Sequence, residues 1–157
     1  MTIFIRQAEA SEAEQLTQIA LNSKAHWGYS EEFMLACEAE LTVTPAKIMS
    51  DHFAYAVILS GDDIQGFYAL ESLSESEVEL EALFIDPNAM GKGLGKALMS
   101  HAVDKARQAG FAAMVIQSDP NADDFYTAMG CEPISKKESL SIPGRYLTVF
   151  KYKLNDT

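Results

Sequence analysis

Apolar residues at helical spacing fill the first part of the chain, after a short strand predicted at residues 2–6. The spacing from Ser11 to Glu14 is that of a capping box and predicts a helix running to about Lys24. Ser30 is a typical N-cap residue and predicts a second helix, whose apolar face carries Phe33, Met34, Cys37 and Leu41. Thr44-Pro45 ends that helix and predicts one further short helical turn.

From residue 53 onward the pattern is dominated by strands. Three apolar runs with turns between them predict an antiparallel meander at 53–59, 64–71 and 78–85. The rest of the pattern predicts a helix to Ala109, a strand at 113–117, a short helix at 122–129 and strands near 131–136 and 146–154. The strand–helix–strand unit predicts a right-handed parallel crossover. The expected fold is therefore α/β, a mixed central sheet of six to seven strands flanked by about four helices.

Composition narrows the classes of function. The 157 residues are expected to form a single domain, 1–157, with 48% hydrophobic and 22% charged residues. A formal net charge of −11 disfavours binding to nucleic acid or to an anionic membrane surface and favours a cationic partner, although acidity by itself also serves solubility.

Cysteine and histidine spacing and the N-terminal sequence limit the chemistry further. Cys37 and Cys131 are too few for a disulfide framework, and the three histidines lack metal-ligand spacing, so no metal is expected. The first residues lack the pattern of a signal peptide, and no apolar run is long enough to span a membrane. We therefore expect a reducing, cytoplasmic setting.

A glycine-rich segment between a strand and a helix is the most informative feature of the sequence. It holds Gly91, Gly93 and Gly95, and such a loop presents backbone N–H groups to a phosphate at a helix N-terminus. A nucleoside-triphosphate loop would need a glycine at Met90 and a hydroxyl residue at Ala97. A dinucleotide fingerprint would need a glycine at Lys96 or at Leu98. Both of those patterns fail.

The segment instead resembles the pyrophosphate loop of the GNAT superfamily of N-acetyltransferases. The resemblance covers residues 78–131: the strand before the loop, the loop at 90–95, and the segment from Asn121 through Phe125-Tyr126 to Gly130. One departure is Met90, where the family usually has glutamine or arginine. The resemblance implies a GNAT-type fold and an acetyl-CoA-dependent enzyme.

The resemblance also implies where acetyl-CoA would bind. The pyrophosphate would lie on N–H groups of the loop, with Lys92 and Lys96 adding charge unless they are only solvated lysines. The backbone of one strand and the side chain of Asn121 would hold the pantetheine arm. The cofactor-binding residues expected on this basis are Leu83, Phe84, Ile85, Gly91, Lys92, Gly93, Leu94, Gly95, Lys96, Asn121 and Tyr126. An N–H near Leu83 would polarise the thioester oxygen.

Direct transfer to an amine requires a group that removes a proton and one that protects the departing thiolate. Glu79 lies on the strand where the resemblance places a general base; Glu81 is the second candidate, Glu77 a distant third, and a water chain the alternative. Tyr126 matches the family's tyrosine and is expected to hydrogen-bond the thiolate, the alternative being a tyrosine packed on the sheet.

The acceptor is expected between the first two helices and the last hairpin. Trp27 and Tyr29 would contact an amine by cation–π interaction, Glu81 would contact the acceptor, and Arg145 would pair an acceptor carboxylate. For each aromatic the alternative is packing within its loop, and for Arg145 it is a solvated turn.

The predicted function is transfer of an acetyl group from acetyl-CoA to a primary amine of a small molecule or peptide. The alternatives are a non-catalytic acetyl-CoA-binding sensor or interaction module, and an acyltransferase that uses another acyl-CoA. Because relatives are often dimers, a homodimer is the default expectation.

Overall fold

A seven-stranded sheet runs through the protein, and the computed structural model describes residues 2–155. The strands are β1 Ile3–Gln7, β2 Phe53–Ser60, β3 Asp63–Ser72, β4 Glu77–Ile85, β5 Ala113–Ser118, β6 Glu132–Glu138 and β7 Tyr146–Lys153. The helices are α1 Ala13–Ala25, α2 Glu31–Leu41, α3 Pro45–Met49, α4 Leu94–Gln108 and α5 Asp123–Ala128. Short 3₁₀ turns at 10–12, 87–89 and 120–122 precede α1, the glycine loop and α5.

The strands lie in the spatial order β1-β2-β3-β4-β5-β7-β6. Every neighbouring pair is antiparallel except β4 and β5, which α4 connects in the chain and which run parallel. This arrangement confirms the predicted mixed sheet with one parallel crossover.

For helices α1 to α3 the sequence predicted an N-terminal capping residue, and two of the three predictions hold. The Ser30 hydroxyl accepts a hydrogen bond from the N–H of Phe33 at 3.1 Å, and the Thr44 hydroxyl accepts one from Lys47 at 3.2 Å. Both predicted N-caps are therefore confirmed.

The predicted capping box at Ser11 and Glu14 is wrong. Ser11 lies inside a 3₁₀ turn, and α1 begins only at Ala13. The Glu12 carboxylate instead accepts from the backbone N–H of Glu9 at 2.8 Å and from the Arg6 guanidinium at 2.7 and 3.0 Å. The capping box therefore lies at Glu9 and Glu12, two residues before the predicted one, and it begins the 3₁₀ turn that precedes α1. Arg6 of β1 also binds the Glu12 carboxylate.

Two apolar cores lie on the two faces of the sheet. One packs α4 and α5 against the sheet around Leu98, Met99 and Met114, and the other packs α1 and α2 around Leu16, Val57 and Phe67. All six of these side chains are fully buried. Among the helices of residues 2–155, none is both long enough and apolar enough to cross a membrane.

Candidate active site

The two parallel strands part in the middle of the sheet. Strands β4 and β5 pair over only three positions, and the last pair is Glu79 with Val115. Beyond it β4 continues to Ile85 and stays paired with β3 on its other side, while β5 continues to Ser118 and pairs with β7. Over residues 80–85 the edge of β4 that faces β5 therefore has no strand partner, which leaves a wedge-shaped opening.

A β-bulge marks the point where this opening begins. Leu70 of β3 pairs with Leu80, and Ala69 pairs with Ala82, so Glu81 is an extra residue on β4 with no partner across the ladder. A bulge bends its strand and re-aims the side chain that it carries. Residues 78–81 alternate regularly and the run 82–85 is wholly apolar, but sequence analysis did not interpret this change of pattern as a bulge.

The glycine loop lies at the wide end of the opening. Gly91 and Gly93 have φ values of +81° and +77°, which a residue with a side chain rarely adopts. The N–H groups of residues 91–96 donate to no acceptor within the described part of the chain. Lys92 and Lys96 are exposed beside them. The loop and the first turn of α4 thus present a row of unused donors, a favourable environment for a phosphate.

Gly95 provides a test of whether a cofactor fits there. A Cβ at this position would lie 3.5 Å from the ring of Phe125 on α5 and 4.0 Å from the side chain of Ile85 at the end of β4. It would therefore lie between the end of β4 and α5, at ordinary contact distances and without clashing with the protein. The fold itself therefore does not require glycine at this position, and the absence of a side chain leaves room for a ligand.

The two glutamates of β4 lie where the strands part, and burial raises the pKa of both. For Glu81, burial is the largest cause, Lys47 opposes it and neighbouring carboxylates reinforce it, bringing the pKa to about 7. For Glu79, burial again dominates, and Glu71, its cross-strand partner, adds repulsion that also raises the pKa. Sequence analysis predicted both residues as site residues, and the structure places them side by side at the apex of the opening.

Tyr126 is buried on α5, with 6% of its surface exposed, and packs between Phe125 and Phe150. Its hydroxyl has no hydrogen-bond partner among the described residues. Every fully buried side-chain polar atom in this part of the chain does have a partner, so this hydroxyl is not fully buried. The hydroxyl therefore reaches a solvent-accessible surface. Burial raises the pKa of the phenol, which keeps it protonated and able to donate.

A cluster of polar side chains lies at the end of β5, on the face of the sheet that α1 and α2 cover. The Asp119 carboxylate accepts from Lys24 Nζ at 3.2 Å, from Arg145 Nη2 at 2.9 Å and from the Tyr29 hydroxyl at 3.0 Å. The Asn121 side-chain amide donates to the Tyr29 hydroxyl and to Asp119, both at 2.9 Å. We call these five residues the Asp119 cluster. Burial alone would raise the pKa of Asp119, but the hydrogen bonds and the cation Lys24 outweigh it and hold the pKa below its usual value.

The ring of Phe33 packs against two members of this cluster. It stacks on Tyr29 with centroids 4.1 Å apart, and the Arg145 guanidinium lies 5.0 Å from its centroid. Trp27 lies outside the cluster: its surface is 50% exposed and its ring packs edge-on against His26.

The structure thus brings Tyr29, Arg145 and Asn121 together and keeps Trp27 apart from them. Sequence analysis missed Lys24, Phe33 and Asp119. Asp119 carries one local signal, an aspartate before Pro-Asn at a strand end, but its long-range partners lie about a hundred residues away in sequence.

Comparison with known proteins agrees with this architecture. The model of the acetyltransferase (GNAT) family matches residues 14–131. The chain is 28% identical over 138 residues to the peptidyl-lysine N-acetyltransferase YjaB of Salmonella typhimurium, covering 88% of this chain and 89% of that protein. It is 26% identical over 150 residues to the 5-NmdU N-acetyltransferase of Pseudomonas phage PaMx11, covering 95% and 98%.

Solved structures share the fold. The PaiA N-acetyltransferase of Thermoplasma acidophilum in complex with coenzyme A superposes with a TM-score of 0.77 at 18% identity, covering 98% of this chain and 99% of that one. YncA of Salmonella typhimurium with acetyl-CoA gives a TM-score of 0.72 at 20% identity, covering 100% and 96%. The family match extends over most of the chain and includes the parted strands and the glycine loop. The chain therefore belongs to the acetyltransferase (GNAT) family, a family of acyltransferases, as the sequence predicted.

Proposed function

We propose that the protein transfers an acetyl group from acetyl-CoA directly to a primary amine. The observation that carries this proposal is the opening between β4 and β5, which begins at Glu79 and ends at the unused N–H groups of residues 91–96. The N–H groups at one end of the opening suit a pyrophosphate, and the strand edges along its sides suit an extended chain with amide groups. The apex holds the half-buried carboxylates of Glu79 and Glu81.

The residues around the opening divide the work of holding acetyl-CoA, which supplies an acetyl group activated as a thioester. The N–H groups of Gly91 to Lys96 would bind the phosphates. The edge of Leu83 to Ile85 that faces β5, which has no strand partner, would pair with the pantetheine. Asn121 uses its amide nitrogen within the Asp119 cluster, so its carbonyl oxygen is the atom left for a pantetheine N–H. Tyr126 would donate a hydrogen bond to the departing sulfur.

The carboxylates of β4 would take the proton of the acceptor ammonium. An alkylamine with a pKa of about 10.4 is mostly protonated near neutral pH and must lose a proton to attack. Glu79, the first candidate from the sequence, ends the strand pairing, and Glu81 lies at the bulge with a pKa of about 7. A base works best when its pKa is close to the working pH, which favours Glu81, with Glu79 adjusting it.

The acceptor class follows from the relatives and from charge. Two relatives carry names of N-acetyltransferases, one of them acting on peptidyl lysine. We infer that the acceptor is a primary amine on a peptide lysine or on a small molecule, and that the apex carboxylates attract its ammonium. The buried free thiols of Cys37 and Cys131 are compatible with the cytoplasmic setting that we also propose. A homodimer stays a prediction.

The first test is a calorimetric titration with acetyl-CoA, using NAD and ATP as matched nucleotide controls. We expect acetyl-CoA to bind with a Kd on the order of micromolar and the other two not to bind, because the loop lacks their motifs. A panel of amines, including a lysine peptide and a polyamine, is then screened for thiol release. Binding without release from any amine would favour the sensor alternative, and faster release from a longer acyl-CoA would favour another donor. Failure to bind acetyl-CoA would refute the proposal.

A further inference from the structure

The same four residues, Asp-Pro-Asn-Ala, follow both parted strands. They occupy 86–89 after β4 and 119–122 after β5. In both segments the aspartate accepts a hydrogen bond from the backbone N–H of the asparagine at 2.9 Å, and the proline begins a 3₁₀ turn. The local task of the two aspartates is therefore the same.

Asp119 does more than its counterpart Asp86. Its carboxylate binds Lys24 at the end of α1, Tyr29 in the α1–α2 loop and Arg145 in the β6–β7 loop. These partners come from segments about 26 to 95 residues away in sequence. The carboxylate of Asp86 makes only the turn bond among the described residues. One carboxylate thus ties two separate loops to the end of β5.

The contacts of the Asp119 cluster are shielded from water. The side chains of Lys24, Asp119 and Arg145 are only 14%, 22% and 16% exposed. Removing the negative charge would leave two cations close together with reduced solvation, which costs more free energy than losing a surface ion pair. We therefore expect both loops to loosen if the charge of Asp119 is lost.

The position of the cluster relative to the opening assigns it to the acceptor. Helix α4 and the glycine loop occupy the other face of the sheet, so an amine has to approach the apex from the side of α1 and α2. Arg145 uses only its Nη2 in the cluster, and its Nε and Nη1 donate to no described residue. These donors are free for a carbonyl or carboxylate oxygen of an acceptor.

We propose that Asp119 is a positioning residue that holds Tyr29 and Arg145 in place to form the acceptor-side wall of the active site. This inference rests on the proposed function, since it names the part of the site that the acceptor contacts. Asp119 itself touches neither substrate; it acts through the two side chains that it holds.

The test compares Asp119→Asn with Asp86→Asn. An amide at 119 keeps an oxygen that can accept from the Asn121 N–H, but it places no charge against Lys24 and Arg145. We expect Asp119→Asn to raise the acceptor KM by about tenfold or more while the acetyl-CoA Kd changes by less than about twofold. Asp86→Asn makes the same chemical change in the same turn motif and is expected to leave the acceptor KM within about twofold of wild type.

A double-mutant cycle with Arg145→Gln separates positioning from general destabilisation. If Asp119 acts by holding Arg145, the double variant has an acceptor KM close to that of the worse single variant. If the losses simply multiply, or if Asp119→Asn leaves the acceptor KM unchanged, the inference is overturned. It is likewise overturned if Asp86→Asn raises the acceptor KM as much.

Amide hydrogen exchange provides a readout that does not depend on turnover. In Asp119→Asn we expect faster exchange at residues 24–33 and 139–146, by about tenfold, and none of this in Asp86→Asn. Wild-type protein that turns over no amine would refute the proposed function. Unchanged exchange in these segments would refute the positioning role on its own. The two failures are therefore distinguishable.

Discussion

Glu79 and Glu81 are two residues apart on β4, yet their surroundings differ. Glu79 is held in the ladder between Glu71 and Val115, whereas Glu81 is the bulge residue with no ladder partner. The charges acting on Glu81 come from Lys47, which lowers its pKa, and from Glu79, Glu71 and Glu40, which raise it. Burial exceeds all of them, so Glu81 changes its charge near neutral pH. A proton acceptor at the apex would therefore have its effect in the range where the protein works.

The pH dependence of turnover follows from this difference. A base must be ionised, so wild-type kcat/KM for an amine is expected to rise up to about pH 7 and then level off. The acceptor amine, with a pKa of about 10.4, titrates outside this range. Glu81→Gln should remove the inflection and lower kcat/KM by about 100-fold. Glu79→Gln should keep the inflection but move it to lower pH, because Glu81 loses a neighbouring negative charge that raises its pKa. Loss of the inflection in Glu79→Gln alone would identify Glu79 as the base.

The sequence alone indicates which candidate site residues lie together where these residues are close along the chain. The glutamates of β4 and the glycines of the loop are close together in sequence, so spacing alone places them near one another. The role of Asp119 depends on Lys24 and Tyr29, which are 95 and 90 residues away. No local pattern encodes that meeting, which is produced by the packing of α1 and the α1–α2 loop against the end of β5.

At the scale of elements, the first turn of α4 connects the stability of the fold with the proposed binding of acetyl-CoA. Gly95 lies in that turn, where alanine would stabilise a helix by about 1 kcal/mol relative to glycine. An added Cβ would meet Phe125 at an ordinary contact distance, so the protein alone has no steric need for glycine here. The Cβ would, however, narrow the gap between β4 and α5.

Stability and cofactor binding should therefore respond oppositely to Gly95→Ala. We expect an unfolding free energy unchanged or raised by up to about 1 kcal/mol, and an acetyl-CoA Kd weakened by about tenfold or more. Gly110→Ala is the control at the other end of α4, where φ is +91°. It should destabilise the fold by about 1 kcal/mol through backbone strain and leave the Kd unchanged. Thermal unfolding and calorimetry on both variants check this, and an unchanged Kd for Gly95→Ala would contradict the location of the cofactor.

Element boundaries show how far local rules reach. The N-caps at Ser30 and Thr44 were predictable because the acceptor hydroxyl and the donor N–H lie within three residues of each other. The start of α1 was not predicted, because the capping box uses Glu9 at its N-cap, where serine, threonine, aspartate or asparagine is usual, and a 3₁₀ turn precedes the helix. The bulge at Glu81 was also not predicted from the sequence, since it depends on the register in which β3 and β4 pair.

At the scale of the whole molecule, the fold carries its acidic charge unevenly. The formal net charge is −11, and Glu71, Glu79 and Glu81 lie close together at the middle of the sheet. Desolvated carboxylates of like charge oppose folding when ionised. The apex of the opening is thus a place where the chemistry proposed for the protein and its stability make conflicting demands.

This conflict predicts the pH dependence of stability. The pKa of Glu81 is raised from 4.5 to about 7 in the folded chain, so between these values the folded state holds a proton that the unfolded state has released. Stability from this group is therefore full below about pH 4.5, falls as the pH rises through the window, and is lost above about pH 7, by an amount on the order of 2–3 kcal/mol. Glutamine at position 81 cannot ionise, so Glu81→Gln should be more stable than wild type at about pH 8 and equal to it at about pH 5.

Urea unfolding at these two pH values measures the difference directly. Glu75→Gln, in the exposed β3–β4 connection, is the control for removing one negative charge from an acidic protein, and it should shift stability by less than about 0.5 kcal/mol at both. An equal gain from Glu75→Gln would mean that net charge and not burial of Glu81 sets the effect. A gain confined to Glu81→Gln, together with its loss of activity, would show that the fold tolerates a destabilising carboxylate at the apex because the reaction needs its charge.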